Sequence, residues 1–127
     1  MEQEHPNLAL VDRFFASYLR RDLAALRALT TTDVRWHFPG PPPLGGEKRG
    51  IEEIVAFLDE ISTFAFQERC GFRGVNDDHL VEYKRTTRAD DGRALDWCVV
   101  WTFRAGRISA GAHFVVDAEP VGSFFRR

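Results

Sequence analysis

Cysteine is scarce in this chain of 127 residues, which has only Cys70 and Cys98. The two cysteines could pair with each other, but two thiols in a chain that starts without an export signal are more often reduced, so we expect both to be free. The four histidines do not have the spacing of known metal-binding motifs, and the two cysteines lie far apart in sequence, so no metal site is predicted. The glycines form neither a dinucleotide-binding fingerprint nor a Walker loop, so we predict no cofactor.

The chain also lacks a charge excess and any long apolar run. Its formal net charge is −2 and its pI is about 6.1, whereas nucleic-acid-binding domains usually carry a strong basic excess. No apolar stretch approaches the roughly 20 residues that a membrane-spanning helix needs. The first residues, Met1-Glu2-Gln3-Glu4-His5, do not resemble an export signal. We therefore expect a cytoplasmic protein that binds neither nucleic acid nor membrane.

Phenylalanine, by contrast, is abundant, with eleven residues in a chain of single-domain length. No repeat, low-complexity segment or linker divides the sequence, so we predict one domain over residues 1–127. Eleven phenylalanines exceed what a small core usually holds. The surplus aromatic surface is expected to line a pocket or a subunit interface.

Apolar residues at helical spacing predict three helices. After Asn7, which we expect to be the N-cap, the residues Val11, Phe14, Phe15, Tyr18 and Leu19 form one stripe. Asp22 is expected to cap a second, shorter helix that ends at residues 30–32, where three β-branched threonines disfavour helix. A third helix is predicted from Ile51 to residues 62–63, with two carboxylates in its first turn.

A strand and an unusual loop separate the second and third helices. Residues 33–38 alternate, which places Val34, Trp36 and Phe38 on one face of a strand. The next twelve residues, 39–50, contain four prolines and four glycines. We expect a stiff loop here that is neither helix nor sheet, and we call residues 39–50 the lip because such loops usually border a site.

The remainder of the chain is typical of a β-sheet. Four segments, at about residues 65–75, 79–89, 94–104 and 107–117, are rich in β-branched and aromatic residues and are separated by turn sequences. Consecutive strands joined by tight turns form an antiparallel meander. The predicted fold class is α+β, with three helices packed on one face of a curved antiparallel sheet.

Several short motifs follow one another along this framework: Trp36-His37-Phe38-Pro39-Gly40, Pro43-Leu44-Gly45-Gly46, Arg49-Gly50, Asp91-Gly92-Arg93, Gly106-Arg107-Ile108 and Asp117. Their order and spacing resemble the SnoaL-like, ketosteroid-isomerase-related branch of the nuclear transport factor 2-like superfamily. The resemblance implies a cone-shaped fold that encloses a deep pocket, and frequently a homodimer formed through the sheet. Because this superfamily includes isomerases, cyclases, dehydratases, epoxide hydrolases and non-catalytic proteins, fold alone does not decide function.

The polar groups of the resembling isomerases are missing here. By resemblance, Phe38 stands at the position of the base, Phe14 at the position of the tyrosine, and Cys98 or Val99 at the position of the second acid. The epoxide hydrolases of the superfamily use an Arg and an Asp two residues apart, and the segment that begins at Arg85 lacks this Asp. We therefore do not expect this protein to catalyse steroid isomerisation or epoxide hydrolysis with the residues that those enzymes use.

The candidate catalytic residues are Asp117, His113 and Asp96. Asp117 matches the acid or base of resembling enzymes near the end of the last strand, and His113 is a plausible general base near neutral pH. Each can also be structural, with Asp117 capping the strand end and His113 satisfied within the fold. Asp96 faces the pocket in one register of the 94–104 strand, whereas Trp97, Val99 and Trp101 face it in the other.

The resemblance and the alternation together predict a pocket for an apolar small molecule. Its expected lining residues are Phe14, Tyr18, Trp36, His37, Phe38, Gly111 and Val115. The predicted function is cofactor-free acid–base chemistry on an apolar substrate, such as isomerisation, cyclisation or dehydration. The alternative is a non-catalytic module of the same fold that binds a ligand or forms a dimer.

Overall fold

The computed structural model describes residues 4–116 and residue 125 of the chain. Its elements follow one another as α1 (Pro6–Leu19), α2 (Leu23–Leu29), β1 (Thr30–Phe38), β2 (Gly46–Arg49), α3 (Gly50–Ser62), β3 (Phe66–Val75), β4 (His79–Arg88), β5 (Ala94–Arg104) and β6 (Arg107–Val115). The three helices and five of the six strands were predicted from the sequence within a few residues. None of the helices described is long and apolar enough to cross a membrane.

The start of α1 differs from the prediction, because His5 rather than Asn7 is the N-cap. The imidazole of His5 accepts a hydrogen bond from the backbone N–H of Asn7 at 3.1 Å, and Pro6 occupies the first helical position. The side chain of Asn7 is buried and donates to the carbonyl oxygens of Asn76 and Asp77 at 3.0 and 3.1 Å. Asn7 therefore ties α1 to the β3–β4 turn instead of capping the helix.

The other two helices begin within one residue of the predicted positions. The Asp22 carboxylate accepts from the backbone N–H of Ala25 at 3.0 Å, which caps α2. Helix α3 has Glu52 and Glu53 in its first turn, where carboxylates interact favourably with the helix dipole. Its buried face, which contains Ile54 and Phe57, packs against the sheet.

All six strands form one sheet in the order β2-β1-β6-β5-β4-β3. Strands β3 to β6 form the predicted antiparallel meander, whereas β1 pairs with β6 in parallel. The prediction that the lip contains no sheet is wrong at its end, because Gly46–Arg49 is an edge strand paired antiparallel with β1. Only the first part of the lip, residues 39–45, consists of turn and irregular backbone. The prolines end before Gly46, so every later residue of the lip retains the N–H that a strand needs.

The turn of the lip depends on a glycine. The Gly45 backbone N–H donates to the carbonyl oxygen of Pro41 at 3.0 Å. A Cβ at residue 45 would lie 1.9 Å from the carbonyl oxygen of Gly40, so no larger residue fits this turn.

The inner face of the sheet contains the core. Along β5 the inward positions Leu95, Trp97, Val99, Trp101 and Phe103 are all buried, alternating with half-buried outward residues. The three helices lie in front of this face, as the α+β prediction requires, and the curved sheet with its helices forms the cone expected from the resemblance.

Candidate functional site

A cavity of about 190 Å³ lies between the inner face of the sheet and helices α1 and α3. The chain has three tryptophans, and all of them, Trp36, Trp97 and Trp101, line this cavity. The helices contribute mainly apolar side chains to the opposite wall: Phe14, Phe15, Tyr18, Ile54, Phe57, Leu58 and Ile61. The site is therefore an aromatic and aliphatic chamber in which the few polar groups stand out.

The sheet wall of the cavity is built around Gly111 in β6. Gly111 is the register partner of Trp36 in β1 and of Trp101 in β5. A Cβ at residue 111 would lie 1.9 Å from Cζ3 of Trp36, so the indole ring occupies the space that any side chain would need. Trp36 then meets Trp101 edge to face, with ring centroids 4.8 Å apart.

His113 is half-buried and lines the cavity two residues further along β6. Its ring packs against Trp97, Phe38 and Trp36, with centroid distances of 4.7, 5.0 and 5.4 Å. The Trp36 indole Nε1–H donates to Nδ1 of His113 at 2.9 Å. Because an indole nitrogen can only donate, Nδ1 must be unprotonated, and the neutral ring carries its proton on Nε2.

The surroundings of His113 favour this neutral form. Burial among the aromatic rings lowers the pKa of His113 to about 3, and the positive charge of Lys84 and the nearby His37 act in the same direction. A general base must take up a proton near the working pH. The structure therefore describes His113 as a neutral imidazole with its proton on Nε2, and its role as a general base stays a prediction.

Strand β4 adds a row of polar groups to the inner face. Thr86 is fully buried and accepts from the Trp97 indole N–H at 3.1 Å, and the buried Glu82 accepts from the Trp101 indole N–H at 2.8 Å. Each tryptophan of the cavity thus has a hydrogen-bond acceptor, as buried indoles require. These hydrogen bonds hold the rings in fixed orientations.

Charged side chains continue this row as a chain of alternating sign. Glu82 lies 3.1 Å from Nε of Arg73 and 3.6 Å from Nζ of Lys84, and Lys84 lies 2.9 Å from the Glu68 carboxylate. Lys84 and Glu68 line the cavity, and the Lys84 side chain is only 12% exposed. The sequence interpretation did not single out these residues, because alternation alone does not say which face of a strand is buried.

Tyr18 of α1 contributes a hydroxyl to the helix wall. Its O–H donates to the Asp59 carboxylate at 2.7 Å, and Arg21 donates to the same oxygen at 2.6 Å. Burial, followed by the hydrogen bond to Asp59, raises the pKa of Tyr18. The Arg21 and Tyr18 hydrogen bonds hold the pKa of Asp59 below its usual range, so Tyr18 stays protonated and Asp59 stays charged at neutral pH.

The predicted pocket residues occupy several different positions. Phe14, Tyr18, Trp36 and His113 line the cavity itself. Gly111 lies behind Trp36, while Phe38 packs behind His113 and Trp97, and Val115 contacts the edge of the core.

His37 is exposed, because its position in β1 alternates with the inward Trp36 and Phe38. The prediction that it lines the pocket is therefore corrected, although it remains near enough to influence His113.

Of the two predicted acidic residues, the structure describes only Asp96, which does not face the cavity. Asp96 lies on the outer face of β5, where Arg85 donates to both carboxylate oxygens at 2.7 and 2.9 Å. These hydrogen bonds hold the pKa of Asp96 below its usual range, which is the opposite of the raised value expected for a carboxyl group in an apolar cavity. The alternative register, with Trp97 inward, is the one observed. Asp117 lies outside the described residues.

Within residues 4–116 and 125, no group of three His, Cys, Asp or Glu side chains is placed to hold a metal ion.

Relatives of known sequence and structure share this architecture. An uncharacterized protein of Mycobacterium tuberculosis (strain ATCC 25618 / H37Rv) is 29% identical over 125 residues, which cover 94% of this chain and 95% of that protein. Bal32a, from a soil-derived mobile gene cassette, matches with a TM-score of 0.76 at 24% identity, covering 95% of this chain and 97% of its own. An NTF2-like protein of Burkholderia pseudomallei K96243 matches with a TM-score of 0.68 at 28% identity, covering 93% and 96% of the two chains.

The sequence model of one protein family also matches most of this chain. Residues 11–111, from α1 to Gly111 in β6, match the model of the protein family described as "SnoaL-like domain". This range includes β1 to β5, the first part of β6 and the Trp36–Gly111 contact that shapes the cavity. The chain belongs to the SnoaL-like domain family, within the NTF2-like superfamily.

Proposed function

We propose that this protein binds an apolar, ring-containing small molecule in the cavity between the sheet and helices α1 and α3. The observation that carries the proposal is the cavity wall, in which three tryptophans are fixed by hydrogen bonds to His113, Thr86 and Glu82. Rings held in this way present flat apolar surfaces without further loss of side-chain freedom on binding.

The size of the cavity limits the ligand. A dry cavity of about 150 Å³ lined by aliphatic and aromatic residues is large enough to hold benzene. The cavity here, at about 190 Å³, is somewhat larger. A molecule of one or two fused rings therefore matches it better than a steroid-sized compound.

Indane, an apolar bicyclic hydrocarbon, is expected to bind and to change the tryptophan fluorescence, because every tryptophan of the chain lines the cavity. Binding should also raise the melting temperature as the indane concentration increases. Titration followed by fluorescence, together with thermal unfolding, measures both effects.

The control is Val99→Phe, since Val99 is buried on β5 and lines the cavity. The larger ring should fill the chamber and abolish the indane response while the variant remains folded. Equal responses in the wild type and this variant would contradict binding in the cavity.

A cofactor-free acid–base enzyme is the second candidate, favoured by the presence of Lys84 and Glu68 at an otherwise apolar cavity. Glu68 would move the proton, with Asp117 as the further candidate that the resemblance supplies. Isomerisation, cyclisation and dehydration all begin or end with such a transfer. Exchange of the α-protons of a cyclic ketone in D₂O, followed by mass spectrometry, separates the two candidates, because a protein that only binds does not accelerate it.

We further propose that two copies pair through the outer face of the sheet. Phe72, Tyr83, Cys98 and Phe114 are successive register partners across β3, β4, β5 and β6, and they form one row. The three aromatic members are 61%, 39% and 54% exposed. An exposed apolar row of this kind marks an interaction surface, and a two-fold axis would pair it with itself.

Sedimentation equilibrium should therefore give twice the chain mass of 14.5 kDa for the wild type and the monomer mass for Phe114→Arg. Leu19→Arg is the matched control, because Leu19 is 77% exposed on α1, away from the row. A wild type that is monomeric at high concentration would rule out this dimer.

A further inference from the structure

The hydrogen bond between Trp36 and His113 determines which nitrogen of His113 can donate to a ligand in the cavity. Trp36 Nε1–H donates to Nδ1 at 2.9 Å, so the remaining proton of the neutral imidazole is on Nε2. The opposite tautomer would place two N–H groups against each other. Trp36 therefore determines that His113 presents a donor, rather than an acceptor, at its second nitrogen.

That donor has no acceptor within residues 4–116 and 125. The Glu82 carboxylate accepts from the Trp101 indole and forms ion pairs with Arg73 and Lys84, and the Thr86 hydroxyl accepts from the Trp97 indole. None of the hydrogen bonds of the described residues involves Nε2 of His113. Nε2 is not among the fully buried polar atoms that lack a partner, so it is accessible to a molecule in the cavity, and a ligand that supplies an acceptor there completes the hydrogen bond.

The charge of Lys84 does not by itself select the ligand atom. Lys84 lines the cavity together with His113, but its ammonium group is paired with the Glu68 carboxylate at 2.9 Å and lies 3.6 Å from that of Glu82. The preference of the site for an acceptor therefore rests on Nε2–H of His113.

We propose that the cavity recognises a ring compound that carries a hydrogen-bond acceptor, with the acceptor atom bound by Nε2–H of His113 and with Trp36 as the positioning residue. This inference rests on the proposed function, since it names the ligand class of the same cavity. The hydrogen bond from His113 orients the ligand, whereas its contacts with the aromatic walls contribute most of the binding free energy.

Three bicyclic probes of nearly equal size test the proposal: indane, which has no polar group, 1-indanone, which has a carbonyl acceptor, and indole, whose polar group is a donor. Dissociation constants for all three are measured by tryptophan fluorescence in the wild type, in His113→Phe and in His113→Gln. The phenylalanine keeps a ring but has no donor, whereas the glutamine amide keeps an N–H near the position of Nε2.

The decisive quantity is the ratio of the indane to the 1-indanone dissociation constant. One hydrogen bond corresponds to a five- to tenfold effect, so this ratio should fall about five- to tenfold in His113→Phe and should be largely retained in His113→Gln. The indole-to-indane ratio should not rise in His113→Phe, because the indole N–H cannot accept from Nε2–H. Indane serves as the internal control, because damage to the cavity weakens all three probes together.

The outcomes separate the two proposals. If the wild type binds the probes and the indane-to-1-indanone ratio is the same in His113→Phe, the inference of an acceptor-bearing ligand is overturned while the proposed function stands. If the wild type binds none of them, both are overturned.

A second measurement tests the role of Trp36 without any ligand. Nitrogen-15 NMR of the histidine rings at neutral pH should show His113 protonated at Nε2 in the wild type, with its signal identified by its absence in His113→Phe. In Trp36→Phe the preference for this tautomer should weaken. A wild-type ring protonated at Nδ1 would overturn the proposal directly.

Discussion

Replacing Gly111 with alanine is expected to lower the free energy of unfolding by about 3 kcal/mol, at the upper end of the cost of overpacking a core. The new Cβ would lie 1.9 Å from Cζ3 and 2.1 Å from Cε3 of Trp36, so the whole indole must move. Trp36 cannot move alone, because it donates to His113 and packs edge to face on Trp101. One added methyl group therefore disturbs the entire sheet wall of the cavity.

Urea unfolding followed by circular dichroism measures this loss. The matched control is Gly71→Ala in β3, where the nearest atom to the added Cβ is 3.9 Å away. Alanine should be neutral or slightly stabilising there, because it reduces the freedom of the unfolded chain. If the two variants have similar stabilities, the contact between Gly111 and Trp36 does not constrain the fold as described.

Stability should also fall by about 2 kcal/mol between pH 7 and pH 5 because of His113 alone. In the folded protein the pKa of His113 is lowered to about 3, whereas in the unfolded chain it returns to about 6.5. As the pH falls below 6.5, the unfolded chain takes up a proton that the folded protein does not accept. The loss of stability therefore begins near pH 6.5 and continues until the folded protein is itself protonated near pH 3.

Urea unfolding of the wild type and of His113→Phe at a series of pH values isolates this contribution, because all other titrating groups are common to both proteins. The difference in stability between the two should change by about 2 kcal/mol from pH 7 to pH 5. Parallel pH profiles would show that His113 titrates normally in the folded protein and that its ring is accessible to water.

The secondary structure was largely predictable from the sequence because local signals agree with the fold. The Asp22 cap, the stripe from Val11 to Leu19 and the turns between the strands each act over a few residues. Strand β2 was missed because its four residues follow a run of prolines, and only their pairing with β1 makes them a strand. Asn7 was misassigned because its true partners, Asn76 and Asp77, are about 70 positions away.

The candidate site was only partly predictable, for a related reason. Trp36 and His113 were each expected in the pocket, but their hydrogen bond spans 77 positions, so the sequence alone did not indicate which nitrogen of His113 carries the proton. Asp96 and Trp97 are neighbours in a strand whose two faces are almost equally apolar in sequence. The pairing of Arg85 with Asp96 on the outer face, and of Trp97 with Thr86 on the inner face, decides between them.

The two walls of the cavity differ in how freely they can change. On the sheet side, each tryptophan donates a hydrogen bond to an acceptor and packs against other rings. A substitution there therefore alters the stability of the protein and the shape of the cavity together. On the α3 side, Ile54, Leu58 and Ile61 line the same space without side-chain hydrogen bonds among the described residues. Exchanging one aliphatic side chain for another costs about 1 kcal/mol. Specificity in this protein can therefore be redesigned through α3 while the sheet side remains a constant template.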